Sequence, residues 1–287
     1  FICESLVSEL ERMTGKVKVA IAGVNGRMGR AALAALANDE DISIVGAFGR
    51  SGAAYVGRSL SEMCSQSAAR LEGIKVADSF EAMPAGVKPD VVLDFMVAEA
   101  SVALAGKCIA AGIRPVIGSS GIAADDVEAL RQSAAKAGLG VLIVPNFSLG
   151  AVLMMEFARQ AARYFANSEV VEIHHTKKLD APSGTAMHTL DKMAQASEAG
   201  KFNERDVVER ELLTGARGAL HQSGLRVHSL RLPGLISHQE VFFGAEGELL
   251  TIKHDSFNTA CFNKGIVMAV KAVGKLKELQ IGLETIL

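Results

Sequence analysis

The feature that most constrains this chain is a series of short apolar runs with little polar alternation, separated by helix-forming stretches. "KVKVAIAG" (16–23) passes through a glycine-rich turn into "RAALAALA", which begins at Arg30. Further apolar runs follow at 42–48, 90–95, 114–118 and 140–145, with helical stretches at about 98–111 and 125–137. Strands that are apolar on both faces need cover on both faces, and intervening helices supply that cover in parallel crossovers. The first half therefore predicts an α/β fold built on a doubly wound parallel sheet. Ligands of such sheets bind beyond the C-terminal ends of the strands, here the loops at Gly23, Phe48, Phe95, Gly118 and Pro145.

From Phe147 the pattern changes. A Met- and Ala-rich helix (150–165) leads to a strand (168–178) and a helix from Gly184; beyond a polar linker (200–222) come three β-like stretches at 225–232, 238–247 and 248–256. Strands not each separated by a helix predict an α+β domain with a mixed open sheet. The segment 263–279 has apolar residues at helical spacing and is expected to pack back onto the first domain. The expected division is 1–146 with 257–287 for one domain and 147–256 for the other. A chain of 287 residues, 49% of them hydrophobic, can bury both cores. A further short helix is expected at 4–13, while the region 52–76 is given no role.

Composition excludes several classes. A net charge of −2 gives no overall basic field for nucleic acid or an anionic membrane, so attraction for an anion must be local. No apolar run reaches the roughly 18 residues of a membrane span. Cys3, Cys64, Cys108 and Cys261 are scattered, with no CxxC pair and no His at ligand spacing, so reduced thiols and no metal site are expected.

The first loop reads "GVNGRMG", with Gly23, Gly26 and Gly29 spaced GxxGxxG. Between a strand and a helix, such a turn lets backbone N–H groups approach a pyrophosphate where the helix dipole favours an anion. This makes the sheet Rossmann-like and assigns Gly23, Asn25, Gly26, Arg27, Met28 and Gly29 to a dinucleotide. At the end of the second strand, where an acidic residue would hold the ribose diol of NADH, stand Gly49, Arg50 and Ser51. A guanidinium pairs well with a 2′-phosphate, so NADPH is expected in preference to NADH, with NADH possible.

The densest chemistry lies in "EIHHTKKLDAPSGTA" (172–186). If 169–178 is extended, alternation puts Glu172, His174, Thr176 and Lys178 on one face and Ile173, His175 and Lys177 on the other. His174 and Lys178 are then expected to share a cavity. Ser183, Gly184 and Thr185 stand where a helix begins, offering hydroxyls and N–H groups to a carboxylate. The window is suited to holding a small acidic molecule and protonating it.

These motifs closely resemble the 4-hydroxy-tetrahydrodipicolinate reductase (dihydrodipicolinate reductase) family of the diaminopimelate route to lysine. Two histidines, two variable residues, Lys, one variable residue and Asp-Ala-Pro-Ser-Gly-Thr are matched from His174 to Thr185. The likeness extends to Gly26–Gly29, Asp94–Phe95, 145–148 and 231–255, covers all but about the first fifteen residues, and is nearest in style to cyanobacterial or plastid members. It implies His174 as proton donor, Lys178 as partner of a substrate carboxylate, and His175, Ser183, Gly184 and Thr185 as substrate-binding. Ser120, in "GSSG" where the family usually has Gly-Thr-Thr-Gly, keeps a hydroxyl for cofactor and substrate; Met96 replaces a usual Thr. Arg50 matches the 2′-phosphate contact, and Phe95, Gly118, Pro145, Asn146 and Phe147 complete the cofactor set. The resemblance also implies a homotetramer formed through the second domain, where Phe242 and Phe243 suggest an apolar sheet surface. A soluble protein is implied, cytoplasmic in a bacterium or in the plastid stroma of a photosynthetic eukaryote. Its substrate would be a small cyclic dicarboxylate held against the second domain, with domain closure bringing nicotinamide to the ring. Two alternatives stand beside it: a reductase of another small oxo- or imino-dicarboxylate, and an NADPH-binding regulator without turnover. The retained His174, Lys178 and Thr185 favour an enzyme.

Overall fold

Strand β1 (Val17–Ala22) ends in four fully buried residues, as a central strand covered on both faces must. A computed structural model of the chain describes residues 15–198, 200–204, 207 and 210–287; the helix expected at 4–13 and Cys3 lie outside them. Helix α1 (Arg27–Ala37) buries Gly29, Ala32, Leu33 and Leu36, one stripe at helical spacing. Then follow β2 (Ile42–Phe48), the one-turn α2 (Leu60–Met63), a 3₁₀ segment (Ser65–Leu71), β3 (Val76–Ala77), β4 (Val91–Asp94), α3 (Ala98–Ala110), β5 (Arg114–Ile117), α4 (Ala124–Ala137) and β6 (Val141–Ile143).

The chain continues through α5 (Leu149–Ala161), β7 (Asn167–His174), α6 (Gly184–Ala196), β8 (Ala219–Leu220), β9 (Arg226–Arg231), β10 (Ser237–Ala245) and β11 (Glu248–Ser256). It closes with α7 (Asn263–Ala272) and β12 (Leu279–Ile281). Two compact units result, one comprising residues through Phe147 together with Phe262–Leu287, the other Ser148–Cys261.

In the first unit seven strands pair in the order β12-β6-β5-β4-β1-β2-β3, all parallel. Because they are parallel, the loops after β1, β2, β4, β5 and β6 leave one edge of the sheet. The order reverses between β1 and β4, which places the loops beginning at Gly23 and Phe95 at the switch point. Helix α7 ends at Ala272, short of the apolar pattern that extends to 279. Leu279–Ile281 instead pairs with Val141–Ile143 as an edge strand. The region 52–76 contributes α2, the 3₁₀ segment and the first residue of β3.

In the second unit the order is β11-β10-β7-β9-β8, with β7 and β9 parallel and the other pairs antiparallel, a mixed sheet. One face carries the core of Val170, Val227, Val241 and Phe243 against Ala158, Ala186, Leu190 and Met193 of α5 and α6. The pair Phe242–Phe243, expected to share one apolar surface, is divided by strand alternation: Phe243 is fully buried in this core and Phe242 lies on the other face.

Candidate active site

The register of the second sheet builds the site from the middle outwards. Parallel pairing sets Glu172 beside Ser229 and His174 beside Arg231, and antiparallel pairing on the other side sets Ser237 beside His174. Glu172, fully buried, accepts from His174 Nδ1 at 2.5 Å and from Arg231 Nη1 at 2.9 Å on Oε2. Its Oε1 accepts from Arg231 Nη2 at 2.7 Å and from the Ser183 N–H at 3.2 Å. Burial works to raise the carboxyl's pKa, but hydrogen bonds from His174, Arg231 and Ser229 outweigh it and hold the value at about 2. The other ring nitrogen of His174, Nε2, lies 3.0 Å from Ser237 Oγ.

The extended reading of 169–178 fails beyond His174, where β7 stops. Its neighbours account for this, because the ladder with β9 ends at Arg231 and that with β10 begins at Ser237, both paired with His174. Residues 175–178 turn instead, with the Lys178 N–H donating to His175 O at 3.1 Å and the Lys177 N–H to His175 Nδ1 at 3.2 Å. Strand alternation therefore does not place Lys178. Its ammonium donates to both oxygens of Asp180, at 2.8 and 2.9 Å, and holds that carboxyl below its ordinary range. The Asp180 carbonyl accepts from Arg231 at 2.8 Å, so an unbroken series of hydrogen bonds runs Lys178–Asp180–Arg231–Glu172–His174.

Ser183 also differs from the expectation of free donors at the helix start. It is the N-cap of α6: its Oγ accepts from the Ala186 N–H at 3.2 Å, and its own N–H is taken by Glu172. Gly184, exposed and with open space where a Cβ would stand, and Thr185 form the first turn behind it, where the dipole favours an anion. Sequence reasoning gave no role to Glu172, Arg231, Ser229 or Ser237. The available signal was Glu172 two residues before His174 on one face of a strand; the partners 57 to 65 residues further on, between 229 and 237, left no local trace.

In the first unit, Gly23 has φ +72°, and a Cβ at Gly29 would collide with Gly23 O and the Val24 Cα, so both positions require glycine. Gly26 is the exposed N-cap of α1, its N–H donating to Gly23 O at 3.0 Å. Arg30 folds back to donate to Asn25 Oδ1 at 2.6 Å, while Arg27 is exposed and Met28 half-buried. Gly118 lies beneath the rings of Phe95 and Phe147, where a Cβ would come within 2.6 and 2.9 Å of them. Ser120 and Pro145 are exposed, Asn146 half-buried.

After β2, the Tyr55 ring covers Gly49 and its hydroxyl accepts from the Arg50 N–H at 2.8 Å. The Arg50 side chain is exposed. Asp78, the nearby carboxylate, is turned to the Gly52 N–H and Ser51 Oγ, each at 2.8 Å. Asp94 is buried, with Oδ1 accepting from the Met96 N–H at 2.8 Å; burial raises its pKa against the smaller opposing effects of Ser101 and that N–H. Burial, with Asp94 adding to it, also pushes Cys108 up to about 12, which makes it an inert thiol.

Comparison with known proteins places this geometry. Residues 17–147 match the family model described as "Dihydrodipicolinate reductase, N-terminus", and residues 150–287 match the one for its C-terminus. A 4-hydroxy-tetrahydrodipicolinate reductase of Moorella thermoacetica is 42% identical over 275 residues, covering 96% of this chain and 99% of the relative. One from Synechococcus elongatus is 39% identical over 279 residues, with 96% and 100% covered. The solved structure of a dipicolinate-bound dihydrodipicolinate reductase from Paenisporosarcina sp. TG-14 superposes with a TM-score of 0.83 at 36% identity, over 95% of this chain and 100% of that one. An amine dehydrogenase from Mycobacterium smegmatis, with a TM-score of 0.65 at 14% identity, shares the fold. This chain belongs to the dihydrodipicolinate reductase family.

Proposed function

We propose that His174 donates the proton and Lys178 holds a ring carboxylate in the reaction of this family, reduction of 4-hydroxy-tetrahydrodipicolinate (dihydrodipicolinate) to tetrahydrodipicolinate in lysine and diaminopimelate biosynthesis. As a member of that family the chain is an NAD(P)H-dependent oxidoreductase. The observation that carries the assignment of roles is the series of hydrogen bonds linking His174, Lys178 and the start of α6 through Glu172 and Arg231.

The close approach of backbone at Gly23, Gly26 and Gly29 fits a pyrophosphate, with the first N–H groups of α1 behind it. NAD(P)H bound there supplies the hydride. Once the 4-hydroxyl has left as water, the conjugated ring that results takes that hydride and one proton to reduce one double bond. His174 delivers the proton from Nε2, and its charged form stabilises the electron pair until transfer. Lys178 exchanges Asp180 for a substrate carboxylate, while His175, Gly184 and Thr185 hold the ring's acidic groups against the dipole of α6. Ser183 keeps that helix start in place as its cap. Ser120 offers its hydroxyl on the loop after β5.

NADPH is the preferred cofactor in this reading, supported by the absent carboxylate at Gly49 and the exposed guanidinium of Arg50. NADH remains a slower donor. The chain assembles as a homotetramer through the open face of the second sheet, which carries a hollow of about 940 Å³ lined by Val171, Leu230, Phe242 and Leu249; sedimentation reads the mass. Among the described residues no helix is long and apolar enough to cross a membrane. The likeness to the Synechococcus elongatus relative suits a bacterial cytoplasm or a plastid stroma.

The test is spectrophotometric. With freshly made substrate, NADPH is consumed faster than NADH, and dipicolinate, the ligand in the Paenisporosarcina relative, competes with substrate. His174→Gln and Lys178→Ala lower turnover by roughly 10²- to 10⁴-fold while NADPH still binds. Near-normal turnover in both variants overturns the assignment.

A further inference from the structure

Glu172 takes no part in the proton and charge transfers above, yet it is completely enclosed. Burying a carboxylate costs several kcal/mol unless hydrogen bonds replace its water, and a well-packed apolar side chain often serves stability as well or better. Here donors close on the carboxylate from three segments of chain: β7 supplies His174, β9 supplies Arg231 and the turn before α6 supplies the Ser183 N–H. That convergence has a chemical use.

We infer that Glu172 is a positioning residue, holding His174 as the Nδ1–H tautomer and fixing the ring to the helix start that receives the substrate carboxylate. The inference rests on the proton-donor reading of His174. A guanidinium and a backbone N–H can only donate; Arg231 reaches both oxygens and Ser183 adds its N–H to Oε1, so Glu172 is ionised and accepts everywhere. His174 Nδ1, 2.5 Å from Oε2, must therefore carry a hydrogen. Nε2 is left as the nitrogen that loses and regains the proton. Ser237 Oγ, 3.0 Å away, accepts from it when the ring is charged and donates to it when the ring is neutral. The two carboxylate oxygens have separate roles, Oε2 orienting the proton donor and Oε1 anchoring Ser183, the cap of α6. A rotation of Glu172 breaks both contacts at once.

The wild-type enzyme gives the first test, which no folding defect can obscure. Ring ¹⁵N resonances of histidine-labelled protein, assigned by their loss in His174→Gln, report which nitrogen of the neutral ring carries the hydrogen. Hydrogen on Nδ1 is expected; hydrogen on Nε2 overturns the inference. In kinetics, Glu172→Gln keeps the side-chain shape but replaces the acceptor-only carboxylate, and kcat is expected to fall by roughly 10²-fold with NADPH affinity retained. If that variant folds poorly because Arg231 loses its partner, Glu172→Gln/Arg231→Gln removes both charges together and the same fall is expected. The variant Glu172→Gln/His174→Gln should be no slower than His174→Gln, because the two residues act as one unit. Wild-type kcat in folded Glu172→Gln, or losses that multiply in the double variant, refute the positioning role while His174→Gln remains slow. Normal turnover in His174→Gln refutes the proton-donor reading itself.

Discussion

A glycine at position 49 is a matter of space as well as cofactor chemistry. Any Cβ there meets the Tyr55 ring, whose hydroxyl holds the Arg50 backbone. Introducing a carboxylate as Gly49→Glu should therefore not create an NADH-preferring enzyme. Tyr55 must move first, the Arg50 turn loses its anchor, and kcat/KM should fall with both cofactors; a clean gain with NADH alone counts against this. At the same scale, the residue types of the site were legible. The spacing from His174 to Thr185 and the glycines at 23, 26 and 29 stand out in the sequence, because each type is restricted to few roles. The partners of those residues were not legible: pairing of Lys178 with Asp180, or of Glu172 with Arg231, depends on sheet register and on where a strand stops.

The longer elements and the short strands β4, β5 and β6, each inside a distinct apolar run, were visible in the sequence, whereas β3 and β12 were not. Three residues at Leu279–Ile281 and two at Val76–Ala77 are too few for periodicity to register, and they are strands only because β6 and β2 supply hydrogen-bond partners. The end of β7 has the converse cause: partners run out at His174, a limit that the uniformly polar run His175–Lys178 does not mark in sequence. Where β7 hands over to α6, the cap decides the outcome. Ser183→Ala removes the acceptor for the Ala186 N–H and should cost about 1 kcal/mol of stability. Loosening the first turn should also raise KM for the dicarboxylate while leaving NADPH affinity unchanged. Denaturant unfolding and steady-state kinetics check the two effects separately; an unchanged KM would show that the capped turn does not position the substrate.

For the whole molecule, two buried carboxyls pull stability in opposite directions with pH. Glu172 is held at about 2 in the fold, against 4.5 ordinarily, so its contribution is present above the ordinary value and is lost as pH falls from about 4.5 towards 2. Asp94 has its pKa raised by burial; its fold is favoured while protonated, and that contribution is lost as pH rises through the raised value. Urea midpoints should show Glu172→Gln losing sensitivity in the acid window and Asp94→Asn gaining on wild type as pH climbs from acid to neutral. Parallel curves for variants and wild type contradict both signs. The change of pattern near Phe147 predicts divisions after 146 and 256, and the compact units divide after Phe147 and Cys261; completion of the first sheet by β12 left no such signal. That last feature bears on synthesis. On a ribosome, Ser148–Cys261 emerges as one uninterrupted block and is free to fold, while the sheet begun at Val17 waits for α7 and its edge strand. The unit begun earliest is thus the last to be finished, and a message cut short before Leu279 should yield a protease-resistant second unit attached to a digestible first.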